Sequence, residues 1–197
     1  MPKSIHINNE YEARLMLSEE QYSSLLSHYK NMNLKKRELT NLNSYFDTEE
    51  LTLTELNMVL RTREINTDKY ELTLKVKEDQ FDKEYNLSIS KEEYQKLKEN
   101  FELKESKIKD ILISFGIDIN KIKFITDLLT YRLEVTFPNY LLVIDKNLYR
   151  NKVDYNIEVE STSREDAIKY LNQSVNYLNI EYKKGYIYKS RRALLDL

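Results

Sequence analysis

The chain contains no cysteine and no tryptophan, and only two glycines, two prolines and two histidines among its 197 residues. Without cysteine there can be no disulfide, zinc–thiolate site, iron–sulfur centre or thiol nucleophile. So few glycines cannot form a P-loop or a dinucleotide-binding turn, both of which need glycine at fixed spacing. His6 and His28 are too few for a histidine-rich metal site and read as surface residues. Any metal chemistry therefore rests mainly on oxygen ligands, which points to magnesium, manganese or calcium. No long apolar run has the length of a membrane span, and "MPKSIHINNEYE" lacks the apolar centre of a secretory signal. The expectation is a cytoplasmic protein with no membrane partner.

What is present is charge, and it is balanced. Lysine and arginine number 31 against 33 acidic residues, a formal charge of −2, which argues against a dedicated nucleic-acid binder. With 41% hydrophobic residues the chain can bury a substantial core.

Periodicity orders the elements. Residues 5–17 read as a strand and 18–30 as a helix starting at Ser18, with Tyr22, Leu25, Leu26 and Tyr29 on its apolar side. A long strand is expected within 34–48, followed by a short helical or irregular connection in "EELTLTELN". Segments 58–65, 69–77 and 81–89 read as neighbouring strands joined through Asn66–Asp68 and Glu78–Gln80. Ser90 and Glu93 have capping-box spacing, and a second helix over roughly 105–114 carries Ile108, Ile111, Leu112 and Phe115 on one face. Strands return over 121–137, in "YLLVIDKN" and over 152–160. An amphipathic helix spans 163–179, and a short element lies around 188–195. The economical reading is a mostly antiparallel sheet system with helices packed around it.

Period-two geometry then separates charge from apolar surface on several strands. Glu10, Glu12 and Arg14 oppose Tyr11, Ala13 and Leu15; Arg61 and Arg63 share a face; Glu71, Lys75 and Lys77 oppose Leu72, Leu74 and Val76. Arg132 and Glu134 oppose Leu133 and Val135, while Glu158 and Glu160 oppose Ile157 and Val159. The charged faces could meet bulk water on an open sheet, or a closed barrel could direct them into a water-filled interior. "YLLVID" is not cleanly divided, because Asp145 shares parity with Leu141 and Val143. Clustered carboxylates would be relieved by a divalent cation and clustered bases by a polyanion. A triphosphate meets both requirements.

The motifs "EYEAR", "YFDT", "LRTR", "ELTLKVK", "LTYRLEV", "LLVID", "IEVE" and "YKSRR" occur in this order along nearly the whole chain. Together they resemble the CYTH, or triphosphate tunnel metalloenzyme, family, and most closely its small bacterial thiamine-triphosphatase-like branch. The resemblance implies an α+β fold: a single domain over 1–197 built on an eight-stranded antiparallel β-barrel, with helices outside. It implies Mg2+ or Mn2+ held by Glu10, Glu12, Asp145, Glu158 and Glu160. Phosphate contacts fall to Arg14, Arg61, Arg63, Lys75, Lys77 and Arg132, with Lys189 and Arg191 from the basic tail and Glu84 orienting a base. Glu10, Glu12, Arg61, Arg63, Arg132, Glu158 and Glu160 form the implied catalytic set. Arg14 stands where the ExExK signature of the family usually ends in lysine. The implied activity is metal-dependent hydrolysis of the terminal phosphoanhydride, with inorganic triphosphate as first choice of substrate. Thiamine or nucleoside triphosphate hydrolysis, adenylate cyclisation and noncatalytic polyphosphate or nucleotide binding are the alternatives. Apart from the resemblance, Tyr45 and Phe46 read as packing, Asp47 as a turn stabiliser, and Lys189–Arg192 as an exposed basic tail.

Overall fold

The computed structural model describes residues 5–78 and 81–195. Alternating side chains and short turns bring the strands into one closed antiparallel barrel. Its strands are β1 (Ile5–Leu17), β2 (Lys35–Asp47), β3 (Met58–Ile65), β4 (Lys69–Lys77), β5 (Asp82–Ile89), β6 (Lys123–Thr136), β7 (Leu141–Tyr149) and β8 (Lys152–Ser161). The circular order β1-β5-β4-β3-β2-β6-β7-β8 leaves no free edge and settles the choice between open sheet and tunnel. It also places the β1–β8 wall across the barrel from β3 and β2.

The helices are α1 (Glu19–Asn31), α2 (Thr52–Glu55), α3 (Lys91–Asn100), α4 (Lys107–Ser114), α5 (Arg164–Val175) and α6 (Lys189–Leu195). Ser18 with Gln21 and Ser90 with Glu93 form reciprocal capping boxes that start α1 and α3. Outward-facing Ala13, Leu142, Ile144, Ile157 and Val159 pack under Leu25 and Tyr29 of α1 and Leu171 and Val175 of α5. A second cluster joins Leu60, Leu72 and Leu74 to Leu97 of α3 and to Ile108 and Leu112 of α4. The apolar faces of the strands thus look outward onto helices, leaving the charged faces to line the barrel.

The expected elements form, with local corrections. The helix expected over 105–114 begins at Lys107, because the Ser106 side chain accepts from Lys109 N and sets the start there. Phe115 is not on its buried face: it is 51% exposed at the C-terminal cap. The helix expected to run to 179 ends as α-helix at Val175 and continues as a 3-10 turn over Asn176–Leu178. "EELTLTELN" contains α2, and Asp47 explains why it forms there. The buried Asp47 carboxylate accepts from Thr48 N and Leu53 N at 2.8 Å and from Thr54 N at 3.0 Å, with Thr54 Oγ1 at 2.7 Å. Of the connection expected at Glu78–Gln80, Asp79 and Gln80 lie outside the described residues, as do the first four residues. Among the described residues, no helix is long and apolar enough to cross a membrane.

Candidate active site

A cavity of about 250 Å³ runs inside the barrel. Its lining includes Glu10, Glu12, Arg14, Arg61, Arg63, Lys75, Glu84, Arg132, Glu158, Glu160 and Lys189, contributed by seven elements. Period two assigns the strand residues Glu10, Glu12, Arg14, Arg61, Arg63, Lys75, Arg132, Glu158 and Glu160 to charged faces, and barrel closure makes those faces one site; Glu84 and Lys189 were implied by the family resemblance alone.

One wall is acidic. Glu12 and Glu160 are directly opposed across the β1–β8 ladder, as are Arg14 and Glu158. Like charges placed opposite one another are destabilising. Burial, reinforced by Glu158 and Glu10 against the attraction of Arg14 and Lys75, pushes the Glu12 carboxyl up to about 8. Burial and repulsion from Glu10 push Glu160 up to about 7. Glu12 Oε1 is buried without an aligned hydrogen-bond donor. Among the described residues, no three acidic or histidine side chains converge as a ready-made metal cluster. The facing pair nevertheless offers hard oxygen donors whose mutual repulsion a cation would relieve, and Mg2+ is commonly held by one or two carboxylates together with substrate phosphates.

The opposite side, with the neighbouring β6, is cationic. Arg61 and Arg63 project from β3, and Arg132 from β6. The Arg61 Nε is buried with no hydrogen-bond partner among the described residues, and the guanidinium's contact with the Glu84 carboxylate is long at 3.7 Å. Arg63 Nε donates to Asn43 Oδ1 at 2.9 Å, and no acidic side chain of the described residues pairs with it. Burial, reinforced by Arg61 and Arg132, lowers the Arg63 guanidinium to about 10. Crowded guanidinium groups with unused donors in a cavity are suited to an oxyanion.

Carboxylates between these walls hold bases in place. Lys75 reaches Glu10 at 2.8 Å and Glu84 at 2.9 Å. Burial works against its charge, yet Glu12, Glu84 and Glu10 raise its pKa well above the ordinary lysine value, so it stays cationic. Asp145 is fully buried and engages Arg132 through both oxygens at 2.9 Å, with Lys189 on the same carboxylate. Glu158 accepts from Arg14 at 3.1 Å, from Lys189 at 2.9 Å and from Arg132 at 3.3 Å. Although burial pushes Glu158 up, Lys189, Arg14 and Arg132 hold it well below the usual carboxylate range. Both side chains thus serve as counter-ions to the bases; Glu12 also pairs with Arg14, but its Oε1 has no aligned hydrogen-bond donor among the described residues.

Lys77 and Arg191 do not line this cavity. They lie in an adjoining chamber of about 460 Å³ with Met58, Ile187 and Leu194, and both are exposed. Val59, Lys75, Tyr188 and Ser190 line both spaces. Arg192, in the expected exposed tail, is buried and grips Asp154 through two nitrogens at 2.8 and 3.0 Å, docking α6 onto β8. Sequence reasoning missed Arg37, Asn41, Asn43 and Tyr45 of β2 and Thr130 of β6 as lining residues. The parity of β2 could have found Arg37, Asn41 and Asn43. Tyr45 also packs with Leu128 and Leu194, and Phe46 is buried in the second core.

Residues 8–186 match the CYTH domain profile. The chain belongs to the CYTH family. Its barrel is similar to a candidate adenylate cyclase from Bacillus halodurans, with a TM-score of 0.84 and 26% identity over 94% of this chain and 97% of that one. It is also similar to HpAC1 of Hippeastrum, a candidate adenylyl cyclase with a dominant triphosphatase activity, with a TM-score of 0.75 and 22% identity over 90% and 92% of the two chains. PH1819 of Pyrococcus horikoshii shares the fold with a TM-score of 0.60 and 13% identity, over 92% and 96%. No curated protein gives a match. Within this CYTH barrel the two-walled tunnel is the candidate active site.

Proposed function

We propose that this CYTH protein hydrolyses the terminal phosphoanhydride of a triphosphate, with inorganic triphosphate preferred over thiamine or nucleoside triphosphates. The observation that carries the reading is the crowding of Arg61, Arg63 and Arg132 in a confined cavity, where, among the described residues, Arg63 has no acidic partner and Arg61 Nε is unsatisfied. A phosphate chain supplies the missing acceptors and neutralises the mutual repulsion. Each charge-assisted hydrogen bond of this kind is worth about 1.5–3 kcal/mol.

Glu12 and Glu160 would hold Mg2+ or Mn2+, with Glu10 beside them on β1. When bound, the cation supplies Lewis-acid neutralisation of phosphate charge. The guanidinium groups of Arg61, Arg63 and Arg132 orient the chain and stabilise charge on the transferred phosphoryl group. Lys75, kept protonated by its carboxylate neighbours, adds fixed positive charge rather than acting as a base. Attack by water breaks the terminal bridging P–O bond; inorganic triphosphate and water give pyrophosphate, orthophosphate and a proton.

ATP cyclisation is the second reading, favoured by the chamber beyond Tyr188, which offers room for an organic group. Product analysis separates the two. Orthophosphate release from inorganic triphosphate, thiamine triphosphate or ATP supports hydrolysis, whereas cyclic AMP with pyrophosphate from ATP supports cyclisation. Tight triphosphate binding with no product would make the protein a binding module.

A further inference from the structure

Arg14 lies in the tunnel, but its guanidinium is already engaged. It pairs with Glu12 and donates to Glu158 at 3.1 Å, and its central carbon stands 4.7 Å from the centre of the Tyr188 ring and 5.7 Å from that of Tyr186. Each ring has a second cation against it: Lys77 lies 5.0 Å from the centre of Tyr188, and Arg192 lies 5.2 Å from that of Tyr186. Arg192 is itself fixed on Asp154. The stack crosses from β1 to the irregular segment 180–188, whose first half is tied to α5 through Tyr182 N on Asn172 Oδ1 at 2.7 Å and whose second half, around Tyr186 and Tyr188, rests on this stack and on the Arg192 bond to the Ile187 carbonyl. Tyr188 faces the phosphate-sized tunnel on one side and the larger, more apolar chamber on the other.

We infer that Arg14 is a positioning residue that pins Tyr188 as the partition between tunnel and chamber, and that this partition selects an unsubstituted phosphate chain over a triphosphate carrying an organic group. The inference rests on the triphosphatase reading for its selectivity but not for the pinning. A planar guanidinium can pair with two carboxylates at its edge while its face meets an aromatic ring; a lysine ammonium is a point charge without that plane. With the ring held, the tunnel ends at Tyr188. With it released, tunnel and chamber join, and an organic group gains a place beside Lys77.

The test compares Arg14→Lys, Tyr188→Ala and Tyr188→Phe with the wild type. Two readouts are used: kcat and KM for inorganic triphosphate and for ATP, and the rate of tryptic cleavage after the exposed Lys183 and Lys184. Losing the stacking should raise the population of the open segment, and with it tryptic cleavage in Arg14→Lys, by about tenfold. Arg14→Lys and Tyr188→Ala should each raise the ratio of kcat/KM for ATP to that for inorganic triphosphate by about tenfold, mainly through a lower KM for ATP. Tyr188→Phe, which keeps the ring, should retain the wild-type ratio and cleavage rate. An unchanged ratio in Tyr188→Ala overturns the inference. So does Arg14→Lys that raises KM for inorganic triphosphate while its 180–188 segment stays as trypsin-resistant as in the wild type, since Arg14 would then be a phosphate ligand. If Arg14→Lys does not fold, the two Tyr188 variants decide. If the wild type turns over neither substrate, the triphosphatase reading fails separately: faster cleavage in Arg14→Lys still supports the pinning, and equal cleavage overturns it.

Discussion

Arg132 and Asp145 face each other across the β6–β7 ladder in a bidentate ion pair, Nε to Oδ1 and Nη2 to Oδ2 both at 2.9 Å, with Asp145 fully buried. Lys189 shares that carboxylate, so Asp145 ties the C-terminal helix to the tunnel wall. Replacing Asp145 with Asn leaves two half-buried cations short of a partner at a fully buried site. Breaking a buried pair from one side costs about 3–5 kcal/mol, so the melting temperature of Asp145→Asn should fall by about 10 °C. A melting curve unchanged from the wild type would show that the pair contributes little to stability.

Arg63 should behave in the opposite way. It is half-buried among like charges, and removing it relieves repulsion while depriving the substrate of a donor. Arg63→Met is expected to melt no lower than the wild type and to bind inorganic triphosphate at least about tenfold more weakly by calorimetry. A large loss of stability with undiminished binding would make Arg63 a structural residue.

The acidic wall sets a pH window. Folded-state values of about 8 for Glu12 and about 7 for Glu160 lie above the ordinary 4.5. Because the folded protein binds these protons more tightly than the unfolded chain, their contribution to stability is fully present below 4.5 and is lost as pH rises through 7 to 8. Glu84 and Glu158, held below the ordinary range by Lys75, Arg61, Arg14, Arg132 and Lys189, act below that window and with the opposite sign. In EDTA the melting temperature should therefore decline from pH 5 to pH 8, and Mg2+ should restore most of the loss at pH 8. A decline that Mg2+ does not touch would argue against a cation between these carboxylates.

Asp47 tests the limits of reading motifs as function. It sits in "YFDT", yet among the described residues its side-chain hydrogen bonds go to the turn leading into α2 and to that helix's first residues. Asp47→Ala should cost about 2 kcal/mol in urea denaturation and leave the KM for triphosphate unchanged. A rise in KM with unaltered stability would place Asp47 in the substrate site.

The charged faces of the strands were legible because period two is a hard geometric rule, whereas their closure into a barrel was implied by the family resemblance alone. Glu10, Glu12, Arg61, Arg63, Arg132, Glu158 and Glu160 all fall on the face it assigns. Parity says which way a side chain points, not how far along the axis it sits. Lys77, two residues beyond Lys75 at the end of β4, therefore faces the adjoining chamber and not the tunnel. Asn41, Asn43 and Thr130 carry no charge and so left no mark in a pattern read from charge. Tyr186 and Tyr188 lie in an irregular segment that has no periodicity to read. The mixed parity of "YLLVID" also has a physical reason: Leu141 and Val143 point inward with Asp145, which lies buried beneath Arg132 and Lys189.

The two walls are proposed to cleave a triphosphate together. Phosphorus NMR of inorganic triphosphate incubated with the purified protein, first in EDTA and then with Mg2+, tests it most directly. No change is expected in EDTA, then equal amounts of orthophosphate and pyrophosphate once Mg2+ is added, with the rate greatly reduced in a folded Glu12→Gln variant. Triphosphate that remains intact with Mg2+ or Mn2+ present, or full turnover by Glu12→Gln, would contradict it.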